Sequence, residues 1–379
     1  MAKDSKLELK HMFDANLLKR IAMAIAHVYP AFDQKKLNAL KPQLDPLEMK
    51  ARVQLIRDEL RQLLPQNYKT AISILRKAIR STRLQGFDLW PFTEFVQTYG
   101  LDEPTLSLEA LKDFTKLFTS EWAVRPFLIR HPTLTLKFLN DCARSQDEHL
   151  RRWACEGTRP RLPWGERLQD FVKDPKPTQP ILERLKFDEA LYVRKSVSNH
   201  LNDISKDHPD YVITLLSRWK DEAGAKHEAK IDWIVRRSLR TLIKEGHSGA
   251  LKIVGVSAGR QIKVVRFKIA QTKIRLGEKF DFEFELKSSH SKAQKLVVDY
   301  IIHFVKANGG TAPKVFKLKT ATLPANGSLT FAKSHAIRQI TTRDYYPGLH
   351  HLEIQVNGLV IGKQSWELLI LKKRLKKAF

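Results

Sequence analysis

The chain has 379 residues, enough for two domains with cores of their own, and carries 67 Lys and Arg against 41 Asp and Glu, a formal net charge of +26. That excess repels cationic partners and attracts nucleic acid or an anionic membrane. The only cysteines, Cys142 and Cys155, give neither a disulfide framework nor metal-ligand spacing, which fits a reduced cytosolic protein. The opening MAKDSKLELKHMF has no apolar signal region, and runs such as LLIL at 368–371 are too short to cross a bilayer, so nucleic acid is the favoured polyanion.

Up to about residue 250 the apolar residues recur with the helical period. MFDANLLKRIAMAIAHVYPAF, EMKARVQLIRDELRQLL and YKTAISILRKAIRS are each amphipathic over several turns. In VRKSVSNHLNDISKDHPD (193–210), Val193, Val197, Leu201 and Ile204 form one buried stripe, and Pro209 opens the next helix. Three segments share an apolar-basic-basic pattern: Leu150-Arg151-Arg152, Val193-Arg194-Lys195 and Val235-Arg236-Arg237. HPTLTLKFL (131–139) and HPDYVITLL (208–216) also resemble each other. A helix-pair period just above forty predicts a HEAT-like solenoid whose inner helices line a concave basic surface matched to a phosphate backbone. On a single helix such a basic pair is simply the wet face; it is the repetition that points to a track.

Beyond about residue 255 the period becomes two. KFDFEFEL alternates Phe280, Phe282, Phe284 and Leu286 with charged residues, and Asn357-Gly358 between two alternating runs predicts a tight hairpin. Asn326-Gly327 and Asn308-Gly309-Gly310 mark further turns. The pattern predicts an immunoglobulin-like antiparallel sandwich. The expected division is therefore a helical-repeat domain over 1–252 and a β-sandwich over 253–379, with the boundary in KEGHSGALKIVGVSAGRQIK. Residues 251–379 hold 24 basic against 8 acidic residues, and residues 1–250 hold 43 against 33, so the smaller domain is the more basic and is expected to meet the same polyanion. The bland alternative is a solubility surface with LKKRLKKAF as a frayed tail.

The familiar catalytic motifs are missing: no HExxH, no GxGxxG after a strand, no CxxC, no serine elbow, and Gly358…Gly362-Lys363 is one residue short of a P-loop. No metal or nucleotide cofactor is expected, so any chemistry falls to carboxylates and aromatic rings.

The helix-pair repeats, VRKSVSNHLNDISKDHPDYVITLLSRW, RRWACEGTRPRLPW and the trailing β-domain together resemble the AlkC branch of the AlkC/AlkD superfamily of bacterial alkylpurine DNA glycosylases. The resemblance implies removal of positively charged alkylated purines, above all 3-methyladenine, from duplex DNA. It also implies a monomer in the bacterial cytoplasm, associated with the nucleoid and not with a membrane. The AlkD branch carries a Trp-x-x-x-Asp catalytic motif; no Trp here has Asp four residues on, so the acid must be sought elsewhere.

A cationic purine leaves without protonation, and the enzyme need only stabilise the developing sugar cation with a carboxylate. That makes base flipping dispensable. Three acids lie within the basic repeats. At ~100° per residue Asp203 lies ~120° from Val197, at the edge of the polar face, where it can also be an ordinary acid paired with Lys206. Glu156 stands among Arg151, Arg152, Arg159 and Arg161, one of which it could merely neutralise. Glu121 follows Ser120, which reads as an N-cap, so its carboxylate could simply favour a helix dipole. Trp122 and Trp164 are candidate aromatic contacts to sugar or lesion, against the commoner fate of packing between helices. The expected backbone-binding set is Arg151, Arg152, Arg159, Arg161, Arg194, Lys195, Asn199, Arg236 and Arg237. The rival reading is a non-enzymatic scaffold that binds nucleic acid through the same repeats.

Overall fold

The computed structural model describes residues 9–256, 261–340 and 343–370. The LKKRLKKAF tail and most of the MAKDSKLELKHMF opening lie outside them. The helices form where the apolar spacing predicts: Ala15–Val28, Met49–Leu63 and Tyr68–Ser81 each bury one stripe. Asp14 and Asn67 cap two of these by accepting from the backbone N–H of Leu17 at 2.9 Å and Thr70 at 3.0 Å.

The repeat is visible as two layers. Helix Pro132–Cys142 packs on Glu148–Gly157, and Gln179–Leu185 packs on Leu191–Ile204. Glu148–Gly157 then lies against Leu191–Ile204, and Pro132–Cys142 against Gln179–Leu185. This is HEAT-like stacking, each helix pair burying its apolar face on the next. The twin His-Pro starts are real helix openings: His131 and His208 share φ −132°, with ψ of 56° and 64°, ahead of Pro132 and Pro209.

The β-region has eight strands: β1 (Ile262–Ile269), β2 (Lys273–Arg275), β3 (Lys279–Ser288), β4 (Gln294–Val305), β5 (Thr311–Leu323), β6 (Ser328–Ala336), β7 (Gly348–Val356) and β8 (Leu359–Leu369). One sheet has the order β1-β3-β6 and the other β2-β8-β7-β4-β5. All pairings are antiparallel except β2 with β8. Phe280, Phe282, Phe284 and Leu286 on β3 point inward with Leu296, Val298 and Ile302 on β4 and Trp366 on β8. Asn357 and Gly358 turn the β7–β8 hairpin with φ of 50° and 80°, the left-handed pair that a two-residue loop requires.

Contacts divide the chain into two compact units, residues 1–207 with 223–234, and residues 208–222 with 235–379. The long helix Pro209–Ser238 breaks at Gly224, whose φ of 55° is not helical. The division of contacts thus does not coincide with the change from helix to strand. Within the second unit the segment after residue 239 is clamped to the five-stranded sheet: Lys295 Nζ donates to Val254 O at 3.0 Å, and Gln355 Nε2 donates to Lys244 O. The turn at Gly246 also meets the β7–β8 turn backbone to backbone, so a Cβ on Gly358 would come within 1.9 Å of Gly246 Cα. Gly358→Ala is expected to destabilise this unit by about 2 kcal/mol or more, because it combines overpacking with a left-handed backbone. Urea unfolding followed by circular dichroism checks this; an unchanged midpoint would mean the turns separate freely.

Candidate functional site

The three acids sought in the sequence converge on one buried ladder of charge. Glu121 is 7 % exposed, Glu156 5 % and Asp203 3 %. Arg152 Nη1 donates to Glu121 Oε2 and its Nη2 lies 3.6 Å from Glu156 Oε1. Arg159 Nη1 donates to Glu156 Oε1 at 2.5 Å, and its Nε donates to Asp203 Oδ2 at 2.8 Å. The sequence Glu121–Arg152–Glu156–Arg159–Asp203 therefore alternates in sign. Ser196 Oγ donates to Glu156 Oε2 at 2.5 Å, Thr119 Oγ1 to Glu121 Oε2 at 2.5 Å, and Lys206 Nζ reaches Asp203 Oδ1 at 3.4 Å. Burial opposes the charge on Arg152, but Glu121 and Glu156 outweigh it and hold the guanidinium above its ordinary range. Arg159 is held up in the same way by Glu156 and Asp203. Glu121 Oε1 accepts no hydrogen bond among the described residues, which leaves it as the spare oxygen of the ladder.

Helix packing produces this convergence. Glu148–Gly157 presents Arg152 and Glu156 one turn apart on the side that meets Leu191–Ile204, which carries Ser196 and Asp203. Asp203 is consequently buried, not at the rim of a polar face as the helical wheel suggested. Glu121 differs too: it lies in a turn, since the following helix starts only at Arg125. Ser120 is not its N-cap; its Oγ donates to Leu111 O at 3.0 Å.

Trp122, next in sequence to Glu121, belongs to an aromatic stack. Trp122 lies 5.0 Å from Trp90, with 21° between the rings, and Trp164 lies 6.3 Å from Trp90 at 12°. Trp90 is buried, whereas Trp164 is 57 % exposed. Trp164 has φ 64°, a left-handed conformation rare and strained for a bulky side chain. Lys50 Nζ donates to Trp164 O at 2.5 Å, and Trp122 Nε1 donates to Pro163 O at 3.0 Å. The organiser of this loop is Arg125, fully buried, which donates to the carbonyls of Gly157, Arg159, Pro160 and Glu166 at 3.0, 2.8, 3.4 and 2.5 Å. Burial, followed by the charge of Arg159, pushes its guanidinium down to about 10.

The expected phosphate-binding residues fare differently from one another. Arg152 and Arg159 face inward, between carboxylates. Arg151 pairs with Asp188 through Nε at 2.6 Å and donates to the carbonyls of Ser145 and Gln146 at 3.0 and 2.8 Å. Arg194 repeats that device on Asp188 O and Glu189 O, at 2.6 and 2.8 Å. In these two copies the first arginine of the repeated pair is thus a staple on the turn before its own helix. Arg161 forms a forked pair with Asp207 at 2.7 and 3.0 Å. Lys195 is exposed, with no ion pair or hydrogen bond from its side chain among the described residues, and Asn199 is half-buried. Arg236 and Arg237 belong to the second unit.

Three comparisons bear on this arrangement. Residues 263–370 match the family described as "Uncharacterised protein YhaZ, C-terminal Ig-like domain". Over 355 residues the chain is 36% identical to the uncharacterized protein YhaZ of Bacillus subtilis (strain 168), covering 93% of this chain and 97% of that one. The structure of Pseudomonas fluorescens alkylpurine DNA glycosylase AlkC, bound to DNA containing an abasic site analog, superimposes with a TM-score of 0.88 and 39% identity over 95% of this chain and 99% of that chain. The chain belongs to the AlkC family of DNA glycosylases. The AlkC assignment agrees with the resemblance carried by RRWACEGTRPRLPW, and that motif supplies Arg152, Glu156, Arg159 and Trp164 of the site. It did not reveal Arg125, Trp90, Lys50 or Ser196, which come from other helices. Tyr192, whose ring lies 5.3 Å from the Arg152 guanidinium, was also unmarked.

Arg159→Ala would leave Glu156 and Asp203 buried without their shared partner, and is expected to cost about 3–5 kcal/mol. Chemical denaturation of the variant measures this; a loss under about 1 kcal/mol would mean water enters the ladder and replaces the guanidinium.

Proposed function

We propose that this chain hydrolyses the N-glycosidic bond of cationic alkylated purines in duplex DNA, 3-methyladenine foremost. The observation that carries the reading is the carboxylate–guanidinium ladder with its spare Glu121 oxygen, on the residue just before Trp122 of the tryptophan stack. In the ground state the lesion base is positively charged, so the C1′–N bond can break without a general acid. Electron density leaves with the base, which departs neutral, and the sugar becomes an oxocarbenium cation. A carboxylate already fixed by arginine and hydroxyl donors does not reorganise as that cation forms, and this is what makes it effective. Glu121 suits the role of cation stabiliser and, through its spare oxygen, of holding the attacking water, while Glu156 and Asp203, whose oxygens are all engaged, orient the ladder. Water then adds to C1′ and gives up a proton to a carboxylate.

Trp164 and Trp122 offer flat apolar faces to the sugar and to a cationic base. For the DNA backbone the reading relies on Lys195 and Asn199 from the repeats and on Arg237 in the second unit; Arg151, Arg161 and Arg194 are engaged as described above, and Arg236 lines a cavity within its own unit. Because leaving-group protonation is not needed, the base need not enter a deep pocket, and excision without flipping is the consistent geometry. The partner expected is duplex DNA carrying alkylated purines, met by a monomer in the bacterial cytoplasm.

The test is release of free 3-methyladenine from methylated DNA. Glu121→Gln is expected to slow single-turnover release by about 10²-fold, as for loss of one preorganised electrostatic group, with Glu156→Gln and Asp203→Asn also impaired. Binding to abasic-site DNA should persist in all three. Undiminished release by every one of these variants would sink the mechanism, and absence of release by the unmodified chain would favour a binding scaffold. A bulky N3 adduct should be excised at a rate comparable to methyl; strong discrimination against size would instead imply an enclosing base pocket.

A further inference from the structure

Within the second unit, a cavity of about 210 Å³ lies between the segment around residues 240–256 and the outer face of β4 and β5. Five cations line it, Arg236, Arg240, Lys244, Lys295 and Lys317, around a single acid, Asp299. The walls between them are apolar, from Ile243, Val254, Val256 and Val297. None of these residues belongs to the Glu121–Asp203 ladder. Asp299 lies on the outward side of β4, where alternation with Val298 and Tyr300 makes a solvated residue the expectation; the covering segment leaves it 3 % exposed. Its carboxylate has no hydrogen bond and no ion pair within 4.0 Å among the described residues, although Lys317 is its cross-strand neighbour. A buried acid without a hydrogen bond, facing a cavity with apolar walls and the exposed lysines Lys244, Lys295 and Lys317 at its opening, is an arrangement that folding alone does not favour.

We infer that this cavity binds a small organic monoanion, its carboxylate- or sulfonate-type head among the lysines and arginines and its apolar body against the valines. The volume equals about seven waters at ~30 Å³ each, room for one ring with a head group and not for a dinucleotide. Asp299 makes the site pH-sensitive. Burial raises its carboxyl to about 6, against the pull of Lys244 and Lys317. The groups facing it are Lys317 from β5, Lys244 from the covering helix and the neutral Gln355, its partner on β7. Below that value the carboxyl is neutral and does not repel the guest; above it the negative charge opposes binding. The site is independent of the glycosylase reading.

Calorimetric titration of the full chain with benzenesulfonate, charged across the whole range, tests this. Saturable binding at one site is expected, with affinity about tenfold higher at about pH 5 than at about pH 7.5. Inorganic sulfate, lacking the apolar body, should bind at least about tenfold more weakly. Lys317→Ala should weaken benzenesulfonate by about tenfold, and Asp299→Asn should bind it as tightly at the higher pH as at the lower. The pH profile of the unmodified chain carries the test even if a variant fails to fold. No saturable binding, affinity that does not fall as pH rises, or displacement of the probe by duplex DNA would overturn the inference, the last by making the cavity part of the nucleic-acid surface.

Discussion

The interaction on which the candidate site depends is the pairing of Arg159 with Glu156 and Asp203 at once. Charges removed from water are tolerated only when partnered and hydrogen-bonded, and each member of this ladder is partnered on both sides or held by a hydroxyl. Arg152 extends the same logic to Glu121. The result is a row of carboxylates whose orientation is fixed before any substrate arrives. A chain with net charge +26 attracts a polyanion, and the ladder holds its negative groups in place within that basic chain by pairing each with an arginine.

Arg125 has a different task in the same neighbourhood. It lies at the base of the 157–166 loop and gathers four carbonyls, including that of Gly157 at the end of its helix, where orphan carbonyls need donors. This holds the loop in the shape that places Trp164 outward with a left-handed backbone. Stacking on Trp90 and Trp122 offsets part of the strain, each ring pair contributing about 0.5–1.5 kcal/mol beyond its area. An exposed, strained tryptophan on an anchored loop is a feature that packing alone does not favour.

The second unit shows a similar division between cohesion and availability. Alternating phenylalanines on β3 close the sandwich core, while the outer face of β4 and β5 is covered by a helical segment tied down through Lys244, Val254 and the Gly246–Gly358 contact. That cover turns an outward aspartate into a buried one. It also brings arginines that the repeat pattern had assigned to a phosphate track into the wall of a cavity, as with Arg236.

The chain itself declares the change of period near residue 255, the helix stripes, the His-Pro openings, the Asn357-Gly358 turn and the charge of the partner, because each is set by neighbours within a few residues. Glu121, Glu156, Asp203, Trp122 and Trp164 were legible as chemically apt residues in a family-like setting. Their grouping was not, since it arises from helices separated by tens of residues. The helical wheel could not foresee that Asp203 would be buried, because the covering helix Glu148–Gly157 is not part of that wheel. The arginines were the hardest to read. Arg151, Arg152, Arg159 and Arg125 are alike in sequence, yet one staples a turn, two balance buried acids and one anchors a loop. Which task an arginine performs is decided by the acceptors that tertiary packing brings within about 3 Å of it, and no local pattern carries that information.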